Sequence, residues 1–185
     1  MTKQPSAIES GRLAKLSKQS KLRLEEQEKK RINSIVKIDK YSFRQKNTKT
    51  YDMPKPRTEE AVYAEVLRSY QSRDLERIEF FTEQFNRFYP KSVYSDNAVY
   101  LVGQLNLAMG FPSEALRYFE KVIQDYPTAN KRVAAIFGKG VAYRKLQLFN
   151  YAEKVFRQVK AEYPGSSEFF KVDLEMKLLQ VERGA

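Results

Sequence analysis

The dipeptide Tyr-Pro occurs at Tyr89-Pro90, Tyr126-Pro127 and Tyr163-Pro164, and both intervals are 37 residues. A period of roughly 20 to 50 residues marks stacked units, none of which can bury its apolar face alone. Sliding the chain by 37 residues extends the match. Ala61, Ala98 and Ala135 superpose, as do Val62, Val99 and Ile136, and then Tyr63, Tyr100 and Phe137. Phe81, Tyr118 and Val155 also align, followed by Phe85, Val122 and Val159. Small, apolar and aromatic types keep their places while charged positions drift, as on a packed face.

Each unit reads as two helices. In the second unit Ala98, Leu101, Leu105 and Ala108 keep helical spacing until Gly110. Ala115, Phe119 and Val122-Ile123 then form a second stripe that Pro127 ends. The third unit repeats this with Ile136, Gly140 and Tyr143, then Phe149, Ala152, Phe156 and Val159. The residue before a proline is pushed out of the helical region, so each Tyr-Pro pair stops a second helix. After Pro164, Ser166 offers a cap, and Phe170, Leu174, Leu178 and Val181 follow at helical spacing. A capping helix over 166–182 is expected, with that apolar face on the array and a polar outer side.

These units resemble tetratricopeptide repeats. Gly103, Gly110, Ala115, Phe119 and Pro127 carry the likeness in the second unit, and Gly140, Tyr143, Phe149, Ala152, Phe156 and Pro164 in the third. The first unit departs from the pattern, with Val66 for the early glycine, Arg73 for the turn glycine and Ile78 for the small residue. The resemblance implies an all-α, right-handed superhelical stack of three helix pairs (58–90, 91–127 and 128–164) plus the capping helix. The family's usual period is about 34 residues. The three extra residues are expected after each proline, in 91–95, 128–131 and 165–167. Junctions such as Tyr89-Pro90-Lys91-Ser92 and Tyr163-Pro164-Gly165-Ser166 are similar to those of the Tol-Pal-associated CpoB (YbgF) family and of BamD-type lipoproteins. That likeness implies a non-enzymatic adaptor or scaffold of the bacterial cell envelope, coordinating cell-wall synthesis with outer-membrane constriction at division.

The net charge of +11 is uneven. Residues 1–57 hold 16 Lys and Arg against 6 Asp and Glu, whereas 58–185 hold 18 against 17. A near-neutral repeat domain over 58–185 thus follows a basic arm, and Pro54 and Pro56 mark a linker between them. The arm is expected to be partly helical or disordered. Three readings stay open for it: a solvated tail, a clamp on an acidic partner or anionic membrane surface, and a nucleic-acid contact. For the last, Tyr41, Phe43 and Tyr51 alternate with Arg44, Lys46 and Lys49.

The chain has no Cys and no His. Thiol catalysis, Cys-based metal sites and the histidine-dependent hydrolytic triads are excluded, and no phosphate-binding Gly-x-x-x-x-Gly-Lys loop occurs. No enzymatic activity, catalytic residue, metal or cofactor is expected. No run of 18 apolar residues suits a membrane span, and the first 30 residues show no apolar signal region. Localisation is therefore the periplasm or cell envelope by resemblance, with the cytoplasm as the alternative. In the alternative, the arm binds an acidic partner, an anionic membrane or nucleic acid while the array recruits a protein.

By the same resemblance the first helix of each pair lines a concave face that binds a protein or peptide partner. Its expected residues are Tyr63, Leu67 and Tyr70 in the first unit and Asn97, Tyr100 and Gln104 in the second. The third contributes Phe137, Val141, Arg144 and Lys145. Tyr63, Tyr100 and Phe137 align in every unit and equally suit a spacer role between units. Asn97, Gln104, Arg144 and Lys145 are the stronger candidates, because the core does not require them.

Overall fold

The computed structural model describes residues 51–55 and 57–184, together with Gln19, Leu22, Arg23, Glu26, Gln27, Lys30 and Ser34. The chain divides into two compact units, Met1–Phe43 and Arg44–Ala185. In the first unit the described residues are helical and exposed. The aromatic residues Tyr41 and Phe43, with Arg44, Lys46 and Lys49, lie outside the described residues.

The second unit is helical, with no strand among the described residues. Its elements are α1 (Glu59–Gln71), α2 (Leu75–Phe88), α3 (Ser95–Ala108), α4 (Pro112–Asp125), α5 (Arg132–Lys145), α6 (Phe149–Glu162) and α7 (Ser167–Gly184). Within each pair the connection is three residues, short enough to force an antiparallel hairpin. The first helices touch one another in sequence, α1 with α3, α3 with α5 and α5 with α7. The second helices α2, α4 and α6 do not, so they form the outer row.

Each hairpin closes through the same chemistry at the same register. Arg73 (φ 55°), Gly110 (φ 84°) and Gln147 (φ 59°) all adopt the left-handed conformation. The next residue then donates its N–H back to the helix, Asp74 to Ser69, Phe111 to Asn106 and Leu148 to Tyr143. This 6→1 bond is the Schellman stop, which satisfies a carbonyl the helix end would leave bare. Only the second unit places glycine at the left-handed position. The other two accept the steric cost of a side chain there.

The Tyr-Pro pairs end the second helices and also clasp each unit shut. Tyr89, Tyr126 and Tyr163 share nearly one backbone geometry, with φ near −130° and ψ between 53° and 62°. Each donates its N–H to the last turn, and its carbonyl accepts from the residue three further on. The phenols reach back to where their own unit began. The Tyr89 hydroxyl donates to the Arg57 carbonyl (2.7 Å), the Ser95 hydroxyl bonds the Tyr126 phenol, and Arg132 donates to the Tyr163 hydroxyl. The residues after each proline then run to Ser95, Arg132 and Ser167 before the next helix starts. That is where the period lengthens.

The core is a continuous seam of side chains from both rows. Val62, Val66, Ile78, Phe81 and Phe85 are buried in the first unit. Val99, Ala115, Phe119, Val122 and Ala135 cluster across the second and third, and Ile136, Ala152, Phe156 and Val159 extend to Val172 and Leu179 of α7. Tyr51 belongs to this body, its ring lying 5.5 Å from Phe80 and 6.0 Å from Phe81, with the Arg77 guanidinium 5.8 Å away.

The last helix departs from expectation. Ser166 does cap it, its hydroxyl accepting from the Phe169 N–H at 3.1 Å. The face that packs, however, carries Val172 and Leu179, with Met176 partly buried against the same cluster. The stripe Phe170, Leu174, Leu178 and Val181 points to solvent. Register explains the reversal, since Val172 stands 37 residues after Ala135 and Leu179 37 after Ala142, both of which are buried. The helix docks as the first helix of a fourth unit would.

The boundary between the first two units is polar. Glu79 of α2 accepts from the Tyr118 phenol of α4 and the Asn106 amide of α3. Burial raises the Glu79 carboxyl above its ordinary value of 4.5, the two hydrogen bonds oppose that, and nearby Glu114 adds to it. A carboxyl raised in the folded state favours folding below its unfolded value, and that contribution is lost as pH rises through its folded value. Glu79→Gln is therefore expected to raise the melting temperature at neutral pH, and the gain should vanish below about pH 4.5. Thermal melts of both proteins across that range check it. A second expectation concerns the hairpin turns. Gln147→Gly relieves a left-handed side chain at a Schellman stop, and denaturant unfolding should show a gain of about 0.5 kcal/mol.

Candidate partner-binding face

The inner row places the expected residues along one surface, and packing sorts them into different roles. Tyr63, Tyr100 and Phe137 are half-buried, each tilted onto a buried phenylalanine of its own unit. The ring centroids are 5.6 Å apart for Tyr63–Phe85, 5.9 Å for Tyr100–Phe119 and 5.7 Å for Phe137–Phe156. Each of these rings serves the core on one side and the inner surface on the other. Leu67 is exposed, while Tyr70 and Val141 are partly covered.

Asn97 and Gln104 are held by phenols. The Asn97 amide donates to the Tyr63 hydroxyl of the preceding unit, and Gln104 Nε2 donates to Tyr100 at 2.8 Å. An amide spends one N–H this way and keeps its carbonyl oxygen and second N–H for a bound main chain. Burial first, then Glu168 and Tyr70, push the Tyr100 phenol up to about 12, the Gln104 hydrogen bond opposing them. That phenol stays protonated at neutral pH and remains a donor. Groups of α1, α3 and α7 thus act on one hydroxyl, which shows how closely the inner row gathers.

Arg144 has a structural assignment. Its side chain is only 11% exposed, with Nε 2.8 Å from Glu175 and Nη1 bonded to Glu182, both on α7. The two carboxylates take two of its N–H donors, and so little exposure gives a ligand poor access to the rest. Arg144 fastens α7 to α5 and contributes little positive potential to the face. Lys145 beside it is exposed, and no carboxylate lies within ion-pair distance of it among the described residues.

Three further residues border the same surface. Tyr94 stacks on Tyr63 (4.8 Å, 19° between planes), Lys131 Nζ lies 5.7 Å from the Tyr100 ring, and Glu168 acts on the Tyr100 phenol. They stand 37 residues apart, at the threshold of α3, α5 and α7. From that position Tyr94 and Lys131 reach back over the aromatic residue of the preceding unit. The shared register is the sequence signal that marks them, although their chemistry changes from aromatic to cationic to anionic.

The arrangement suits recognition. Aromatic walls, fixed amides, protonated phenols and separated opposite charges can hold an extended chain by its main-chain groups and a few side chains. Among the described residues no group of three or more His, Cys, Asp or Glu could hold a metal ion. Nor is any described helix long and apolar enough to cross a membrane.

No curated protein matches the chain significantly. A family model does: that of the tetratricopeptide repeat matches residues 97–129 and 134–166. Those stretches run from the first turn of α3 past the end of α4, and from α5 to the start of α7. The second and third helix pairs are accordingly similar to tetratricopeptide repeats, and the match covers these two pairs.

Proposed function

We propose that this chain is a non-enzymatic adaptor of the bacterial cell envelope that holds an extended segment of a partner protein on its inner face. The observation that carries the reading is the row of amides and phenols along α1 and α3. Asn97 is fixed by Tyr63 and Gln104 by Tyr100, so the polar groups are ordered before a ligand arrives. Preorganised groups lose less entropy on binding, which is how a modest groove gains affinity. Lys131 and Lys145, at opposite ends of α5, favour a segment carrying acidic side chains.

The envelope assignment rests on the junction chemistry. Tyr-Pro at the end of each second helix and the three-residue extension after it are the features shared with the CpoB and BamD-type repeat proteins. On that reading the chain acts in the periplasm, where it links cell-wall synthesis to outer-membrane constriction through the Tol-Pal system. A second reading draws on the charge of residues 1–57, where 16 basic residues outnumber 6 acidic ones. There the arm grips an acidic partner, an anionic membrane or nucleic acid in the cytoplasm, and the array recruits a protein.

Fractionation of the native host, followed by affinity capture on the full chain, separates the two. The envelope reading expects recovery from the periplasmic or outer-membrane fraction together with Tol-Pal or cell-wall synthesis components. Recovery from the cytoplasm would confine the resemblance to the repeat fold. In either compartment the double variant Gln104→Ala, Lys145→Glu should weaken partner capture about tenfold while helicity is retained. Unchanged capture would overturn the inner-face assignment.

A further inference from the structure

We propose that α7 carries an interaction surface at the end of the inner row, whose occupant is α7 of another copy of this chain, packed antiparallel about a two-fold axis. The surface is the stripe Phe170, Leu174, Leu178 and Val181, exposed by 70, 62, 37 and 70%. At 3.6 residues per turn these four fall within about a quarter of the helix circumference. They lie about 150° around the helix from the side on which Val172 and Leu179 are buried. A single exposed leucine is ordinary on a protein surface. Four apolar side chains aligned over three turns form a seam.

The stripe is not shaped for another repeat helix. In the second and third units the position facing the unit's own second helix is Gly103 or Gly140, pressed against Phe119 or Phe156. In the first it is the buried Val66. The same register in α7 gives Lys177, which is exposed. A long cationic side chain there excludes the close aromatic packing that joins the helices of a pair. It suits the rim of a helix–helix seam, where the charged end reaches water.

The charges beside the stripe select a second copy as the occupant. In an antiparallel pairing centred midway along the stripe, Phe170 faces Val181 of the other copy and Leu174 faces Leu178. On one flank Asp173 then meets Lys177 of the other copy, and on the other flank Lys171 meets Glu182. Both flanks are complementary, and the two-fold axis generates each pair twice. The two carboxylates already touch basic groups of their own chain, Asp173 with Lys160 and Glu182 with Arg144, yet both stay open to solvent. The arrangement repeats the antiparallel geometry of the helix pairs within the array. Leu174, Leu178 and Val181 stand 37 residues after Phe137, Val141 and Arg144, so the stripe continues the inner row and a second copy there adjoins whatever that face binds.

Light scattering of the eluting full-length chain over a dilution series tests the proposal. A mass approaching twice the 21.7 kDa of one chain is expected at high concentration. Leu174→Glu should weaken association about tenfold or more without loss of helicity. Lys177→Asp should also weaken it, and adding Asp173→Lys should restore it, because the swap rebuilds the pair across the axis. The natural chain has no cysteine, so single cysteines report orientation. Leu174→Cys mixed with Leu178→Cys should cross-link more than either variant alone. A monomer at every concentration would overturn the proposal, as would an oligomer indifferent to Leu174→Glu or cross-linking of each variant mainly with itself. The first of these outcomes would leave the stripe to another protein or to the chain's own arm.

Discussion

The ring of Phe119 holds three helices of the array together. It is fully buried and lies between two glycines, Gly103 in the first helix of its own unit and Gly138 in the first helix of the next. A Cβ at either position would sit 2.8 or 2.7 Å from the ring, closer than packed carbon atoms approach. Removing both Cβ atoms lets α3, α4 and α5 close on a single phenyl group, and the inner row is brought together by that contact. Phe156 against Gly140 repeats the contact within the third unit. Where the next glycine would fall, 37 residues after Gly138, stands Glu175, and the boundary changes from an aromatic wedge to the Arg144–Glu175 ion pair. The first unit alters both sides of the contact, with Val66 for glycine and Thr82 for phenylalanine, both buried. Bulk gained on one helix is given up on the other, as close packing requires.

The recognition surface follows from this spacing. Once α1, α3, α5 and α7 lie side by side, a residue at the threshold of one helix reaches the aromatic ring of the unit before it, as Tyr94 and Lys131 do. The phenols of Tyr63 and Tyr100 are then near enough to fix the neighbouring amides. At the other end of each unit the Tyr-Pro clasp ties the last residue of the second helix to the start of the first. One dipeptide thereby does two jobs, stopping a helix and closing a hairpin.

The repeat and the helix boundaries were legible in the sequence because they depend on local signals, whereas the inner helices were assigned by the resemblance. Proline, glycine and apolar spacing act within a few residues of themselves. The role of Arg144 was not legible. Its partners are 31 and 38 residues away, and a cation that pairs across helices looks from the sequence like one free for a ligand. The face of α7 was misread for a related reason. Periodicity identifies an apolar stripe without naming its neighbour, and only the 37-residue register, through Val172 and Leu179, selects the side that packs. Tyr94, Lys131 and Glu168 escaped because drifting chemistry at one register position resembles an outer surface, although position alone brings all three to the groove.

We propose that binding belongs to the inner row and that the outer row is scaffold. A photo-crosslinking residue placed at Gln104, and separately at Lys121 on the exposed outer side of α4, tests this division in the native host, whatever the partner is. A discrete adduct is expected from position 104 and none from position 121, in a protein that melts like the wild type. An adduct from position 121 with none from position 104 would refute the division and move the binding surface to the outer row.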